Sequence, residues 1–248
     1  MRSIGVLIAL AALAGCSSGP RGPSEAFIAR ALATAPGAAQ PSTLVATELA
    51  YAREARELGQ FTSARKFAAP GARLHGRNGP VDFASLTNLS DPAQSVAWSP
   101  RVVAMSCDGA LAVSLGRFED QDGFVGNYVT VWKRNSDNEY RWIYDVAGRD
   151  DPQPPPRREF ADGDIVVTAI DAIEGRVAEC ARRDSPIPPP PALSLASEAP
   201  GEAFLSRDGT LRWRWEHQAD GTKFVSVDYY FQGKWQNAIE ERLASPPE

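Results

Sequence analysis

The sequence predicts an α+β protein, with helices first and antiparallel strands after them. Two changes of pattern carry that expectation. Leu44, Tyr51, Ala55 and Leu58 recur at helical spacing. From Ser95 onward the apolar residues alternate with a period of two, between turn signals such as Asp108–Gly109. A third observation bounds the architecture: the 20 prolines of the 248-residue chain cluster into spacers. With 43% hydrophobic residues, the chain can build one good core or two modest ones.

The elements follow in order. Residues 17–40 are rich in Ala, Gly, Pro and Ser and read as linker, with a short helical piece over Glu25–Ala33. A first helix begins near Ser42, a plausible N-cap, and stops at Gly59. A second short helix covers Phe61–Ala68, and short strands lie within Ala72–Phe83. Ser95–Ser106 is a strand interrupted at Pro100. Ala110–Glu119 is its return strand, and "NYVTVWKR" and "YRWIYDV" form a further hairpin around "NSDN". The prolines of "DDPQPPPRR" then disfavour helix and central strand alike. Asp164–Cys180 reads as one strand or a pair, and Ser185–Ala192 is a stiff spacer rather than a docking motif. Three tail strands, "TLRWRWEHQ", "KFVSVDYYF" and "WQNAIEERL", are marginal alone and should dock on the first sheet. The expected organisation is a leader at 1–15, a tether at 16–40 and a domain at 41–150. A Pro-rich linker at 151–163 and a β-rich extension at 164–248, with its spacer at 185–192, complete it.

The leader carries a positive Arg2 and an apolar run from Ile4 to Ala14, too short to span a bilayer. It ends in "LAGC", which resembles the lipobox of bacterial lipoproteins. That resemblance makes Cys16 the acylated first residue of a mature chain. Losing Arg2 then takes the net charge from −5 to −6. Ser17 after the cysteine points to the outer membrane, with the globular part in the periplasm. More than one acyl chain would hold it there stably. Two cysteines remain, Cys107 and Cys180, and an oxidising compartment permits a disulfide between them; two buried thiols are the alternative. His75 and His217 have no partnering cysteines, so neither a metal site nor a cofactor is expected. The mixed charge has no basic stripe, which argues against nucleic acid.

The hairpin "GNYVTVWKRNSDNEYRWIYDVAGRDD" poses the functional question: do its aromatic side chains enclose a core or a pocket? Strict alternation puts Tyr128, Thr130 and Trp132 on one face and Val129 and Val131 on the other. The same rule groups Tyr140, Trp142 and Tyr144 against Arg141, Ile143 and Asp145. Both faces carry apolar residues, so both should be covered: one by helices, the other by the tail strands or a second subunit.

The stretches "ELAYAREARELGQFTSARKF", "VAWSPRVVAMSCDGALAVSLGRF" and "GNYVTVWKRNSDNEYRWIYDVAG" together resemble the SnoaL-like branch of the nuclear transport factor 2 and ketosteroid isomerase superfamily. The resemblance covers Ser42–Gly148 and its motifs are loose. It implies a cystatin-like cone, helices packed in a curved antiparallel sheet, here followed by a C-terminal antiparallel β extension. Such cones often hold a small apolar ligand, and members include enzymes and non-catalytic modules alike. A pocket lined by Glu48, Tyr51, Trp98, Tyr128, Trp132 and Trp142 is therefore a candidate, although the three tryptophans read first as packed core. In isomerase-like members a carboxylate acts as general base beside a Tyr or protonated Asp. The candidates here are Glu48, Asp82 and His75, with Asp145 also available; His75, in "RLHGRNGP", reads more readily as a loop residue than as a catalyst. Glu48 stands out because it falls on the core-facing stripe of the first helix; the competing accounts are a structural bond to a strand residue or to Arg56, or exposure at the stripe's edge. Three functions follow: a non-catalytic module for a small apolar ligand or a protein partner, an enzyme using a buried carboxylate, or a structural envelope lipoprotein with a filled cone. The tail strands would occupy the face through which many relatives pair, which favours a monomer.

Overall fold

The computed structural model describes residues 24, 27, 28, 31, 39–155, 172–182, 185–192 and 199–245. The chain divides into Met1–Ala35 and Pro36–Glu248. In the first unit Phe27, Ile28 and Ala31 are helical, within the piece expected there. Cys16 and the leader lie outside the described residues, as do residues 156–163 of the Pro-rich linker.

The second unit opens with helices α1, Pro41–Leu58, and α2, Gln60–Phe67. Ser42 is not the N-cap. Gln40 holds that position without a side-chain bond, and Pro41 takes the first helical turn, where its missing N–H costs nothing. Leu44, Glu48, Ala52 and Ala55 form the buried stripe of α1, while Leu58 is 59% exposed and belongs to no stripe. Gly59 ends the helix with φ +111 and starts the next one. A Cβ there would also collide with the Asp91 carboxylate, which caps α2 by accepting from the Phe61 and Thr62 backbone N–H groups.

Seven strands form one sheet: β1 Ala68–Gly76, β2 Gly79–Asp82, β3 Ala97–Met105, β4 Leu111–Glu119, β5 Val125–Arg134, β6 Tyr140–Arg149 and β7 Glu174–Val177. Their order is β2-β1-β6-β5-β4-β3-β7. The sheet is not purely antiparallel, as the sequence suggested, because β1 runs parallel to β6 and β7 runs parallel to β3. Each of these pairings brings together segments distant in sequence, and no turn signal announces them. Four more strands, β8 Gly201–Leu205, β9 Leu211–His217, β10 Lys223–Phe231 and β11 Lys234–Leu243, form a separate antiparallel sheet.

Two clusters of buried side chains lie on opposite faces of the seven-stranded sheet. On the helix face Leu44, Phe67, Phe83, Val103, Trp132 and Trp142 pack together. On the other face Val113, Val129, Val131 and Val146 meet Trp213, Trp215, Val225 and Ile239 of the four-stranded sheet. The four-stranded sheet thus finds the apolar surface it needs on the back of the larger one.

The two meanders share a turn. Ser106-Cys107-Asp108-Gly109 and Ser206-Arg207-Asp208-Gly209 both close with a backbone bond from the glycine N–H to the serine carbonyl, each at 2.9 Å. In both turns the serine hydroxyl donates to the aspartate carboxylate. The turns also bond each other: Asp108 N–H donates to Asp208 Oδ2 at 2.9 Å and Cys107 N–H to Thr210 Oγ1 at 2.9 Å. At the same place Cys107 is disulfide-bonded to Cys180, across a sequence separation of 73.

Candidate functional site

A β-bulge decides which side chains reach the helix face. Across β5 and β6, Val131 pairs with Tyr144 and Trp132 with Trp142, so Ile143 is an extra residue. Strict alternation fails from that point on. Tyr144 turns to the far face, beside Trp213 at a centroid distance of 4.9 Å. Asp145 turns instead to the helix face, opposite Thr130, whose hydroxyl donates to Asp145 Oδ1 at 2.5 Å. The face assigned to Tyr144 and Asp145 from sequence is therefore reversed.

The helix face is part core and part cavity. Trp132 and Trp142 are 0% and 2% exposed. Trp142 stacks edge-on against Phe83 and donates its indole N–H to the Ala64 carbonyl at 3.1 Å, so it is core and does not line the pocket. Above it a cavity of about 160 Å³ is walled by Tyr51, Trp98, Tyr128, Thr130, Trp132 and Asp145, among others. Tyr51 anchors the wall from α1, with its ring 4.9 Å from Phe67 and 4.9 Å from Trp98 between centroids. Ligand pockets usually start at about 300 Å³, but a cavity of about 150 Å³ is known to take a single benzene ring.

Glu48 sits behind this wall and is 1% exposed. Its Oε1 accepts the Tyr128 hydroxyl at 2.5 Å, while Oε2 has no hydrogen-bond partner. Of the structural partners expected, Arg56 is exposed, whereas Tyr128 is a strand residue, so the bond to a strand is the one formed. Tyr128 can reach inward because it faces Gly116 across the β4–β5 ladder. A Cβ at Gly116 would meet the Tyr128 hydroxyl at 2.4 Å and the Ser99 carbonyl at 2.2 Å. Only a glycine leaves room for that ring.

The electrostatics follow from the burial. Desolvation raises Glu48 to about 7, against the opposing influence of the Tyr128 bond and the nearby Ser114 hydroxyl; the charge of Asp145 raises it further. Burial likewise raises Asp145 to about 6, with the Thr130 hydroxyl working against it. Asp145 is only half-buried, since it opens onto the cavity. Tyr51 and Tyr128 are both pushed well up, by burial first and then by these carboxylates. Near neutral pH, one acid of the pair is partly protonated and the other mostly ionised. That is the condition under which a site can both donate and accept a proton.

The other two catalytic candidates fall elsewhere. Asp82 is exposed and caps a short 3₁₀ turn, accepting the Ala84 N–H at 2.9 Å. His75 is not a loop residue but the eighth residue of β1, 3% exposed, on the face away from the cavity. There its Nδ1 bonds the Tyr144 hydroxyl and its Nε2 meets His217 Nδ1 at 2.9 Å. Burial, and then the charges of His217, Lys223 and Arg73, hold it down at about 3, so it stays neutral. Larger grooves also exist, of about 770 Å³ beside Phe83, about 360 Å³ beside Pro152 and about 370 Å³ beside Trp235. Charged side chains in each have partners within the chain: Arg65 the Leu89 carbonyl, Asp150 the Arg117 guanidinium and Asp228 that of Arg212. Among the described residues, no group of His, Cys, Asp or Glu could hold a metal ion.

No known family profile matches this sequence, and no curated protein matches it. Among solved structures, it is similar to a protein described as a candidate aromatic ring hydroxylase from Novosphingobium aromaticivorans. The identity is 15%, covering 43% of this chain and 86% of the other, with a TM-score of 0.31. It is also similar to a nuclear transport factor 2-like superfamily protein from Salmonella enterica serovar Typhimurium. There the identity is 12%, over 50% of this chain and 96% of the other, with a TM-score of 0.33.

Proposed function

We propose that this chain is a lipid-anchored envelope protein whose helix-face cavity binds a small ligand with an apolar body about one ring across. One observation carries the reading: an aromatic-walled space of about 160 Å³ beside a buried acid–tyrosine pair that no internal packing consumes. A protein with a filled domain would have closed that space with larger side chains. Ala147, exposed at the cavity wall, offers a test. One-ring probes, neutral and charged, should perturb the fluorescence of Trp98 in the wild type and lose that effect in Ala147→Phe. Equal binding by both proteins, or none by either, sinks the reading.

Proton-transfer catalysis is the second reading, supported by the contact between Glu48 and Tyr128 and by the two raised carboxylates. Fold resemblance to isomerase-like proteins is analogy only. Retention of probe binding with loss of substrate turnover in Glu48→Gln would favour it.

The envelope location rests on the Cys16 motif and is supported by the Cys107–Cys180 bond, which suits an oxidising compartment. Among the described residues no helix is long and apolar enough to cross a membrane. Cys16→Ala should move the protein from the membrane fraction to the soluble one; retention in the membrane fraction refutes the lipid anchor. The four-stranded sheet occupies the back of the larger sheet, which supports a monomer.

A further inference from the structure

The cavity is half walled by aromatic rings and carries a charge of one sign. Its rings come from α1, β3, β4 and β5: Tyr51, Trp98, Phe118, Tyr128 and Trp132. Its ionisable groups are acids. Asp145 opens onto the space, and only its Oδ1 is engaged, by Thr130. Glu48 lies behind Tyr128 with Oε2 unpartnered. No Lys, Arg or His among the described residues lines the cavity, and no cation counts among the influences on either carboxyl. Several half-buried carboxylates elsewhere are ion-paired, Asp150 with Arg117, Asp228 with Arg212 and Asp120 with Arg149, which the cavity acids are not. Buried acids persist without a counter-ion only at a cost in stability, and a cation supplied from outside would remove that cost. Aromatic faces attract such a cation through their ring quadrupoles, most strongly where water is excluded.

Resting on the reading of the cavity as a ligand site, we propose that its ligand is a small organic cation: an ammonium head carried on a compact apolar body. The head sits against Asp145 and the faces of Trp98 and Tyr51, and the body fills the space above Trp132. An anion is excluded by the same carboxylates, and a neutral isostere leaves Asp145 without its counter-charge.

The test compares three probes of nearly one shape on the full chain at pH 7.5, by calorimetry: benzylamine, benzyl alcohol and benzoate. Benzylamine should bind about tenfold or more tighter than benzyl alcohol, with benzoate weakest. In Asp145→Asn the preference of amine over alcohol should vanish. The probe series on the wild type stands alone if that variant folds poorly. If the alcohol matches or exceeds the amine, the cation is wrong while the pocket stands. If none of the three binds, the pocket itself is wrong and the cation with it.

Discussion

Glu48→Gln should gain stability over the wild type as pH rises, by roughly 3 kcal/mol between pH 4 and pH 8. The sign follows from the direction of the shift. Glu48 has a folded-state value of about 7, above its ordinary 4.5, because burial penalises the charged form. Between those values the native state holds more protons than the unfolded chain, so raising the pH favours unfolding. Above about 7 the full penalty is present. Glutamine keeps the shape and can still accept from Tyr128, but carries no charge to desolvate. Asp145 shifts the same way, from 3.8 to about 6. His75 works in the opposite direction: with its value lowered from 6.5 to about 3, it adds stability as the pH rises through that window. Both are present in wild type and variant alike, so the difference between the two proteins isolates Glu48. Urea unfolding at several pH values measures it. A difference that does not change with pH would mean that Glu48 is solvated or paired.

This penalty is also an argument about function. Glutamine or leucine at position 48 would make a simpler core. A buried acid without a counter-ion is the kind of stability cost that sites carry. Its partner Asp145 shows the same logic from the other side of the cavity, delivered there by a bulge that lengthens β6 by one residue.

How much of this was legible in the sequence depends on the range of the signal. Local signals served well. Asp108–Gly109 marks a real turn, and Pro100 stands beside the irregularity between Pro100 and Val102 in β3. Alternation put Thr130 and Trp132 on one face and Val129 and Val131 on the other, which are the helix face and the far face. It failed at Tyr144 and Asp145 because one residue of slip reverses every later side chain, and nothing in "YRWIYDV" marks the slip. The parallel pairings of β1 and β7 were also out of reach, since they depend on contacts between distant segments. His75 followed from that failure: β1 also pairs locally with β2, but the contacts of His75 with Tyr144 and His217 depend on the β1–β6 pairing and on the docked second sheet. One signal was present and went unread. Ser106, Asp108, Gly109 and Leu111 recur as Ser206, Asp208, Gly209 and Leu211, which foretells two matching hairpins.

Removing the disulfide should have the largest effect of any change outside the hydrophobic core. The bond joins residues separated by 73 in sequence, and closing a loop of that length in the unfolded chain corresponds to roughly 4 kcal/mol of stability. The native contacts explain why local structure would suffer most. β7 is four residues long and lies at the sheet edge, where β3 is its one strand partner. Just beyond it Ala178 N–H donates to the Met105 carbonyl and Glu179 N–H to the Tyr230 carbonyl, at 3.0 and 2.8 Å. Those bonds link the last strand of one sheet to the other sheet, beside the paired turns at Cys107 and Thr210. Without Cys180 fixed to Cys107, a short edge strand loses the anchor at its end. The double variant Cys107→Ala/Cys180→Ala should therefore unfold at lower urea. Its amides at Val177, Ala178 and Glu179 should exchange far faster, while those of β5 and β6 change little until global unfolding. Equal stability of the two proteins, together with no mass increase when the wild type is reduced, would show that the two thiols are free.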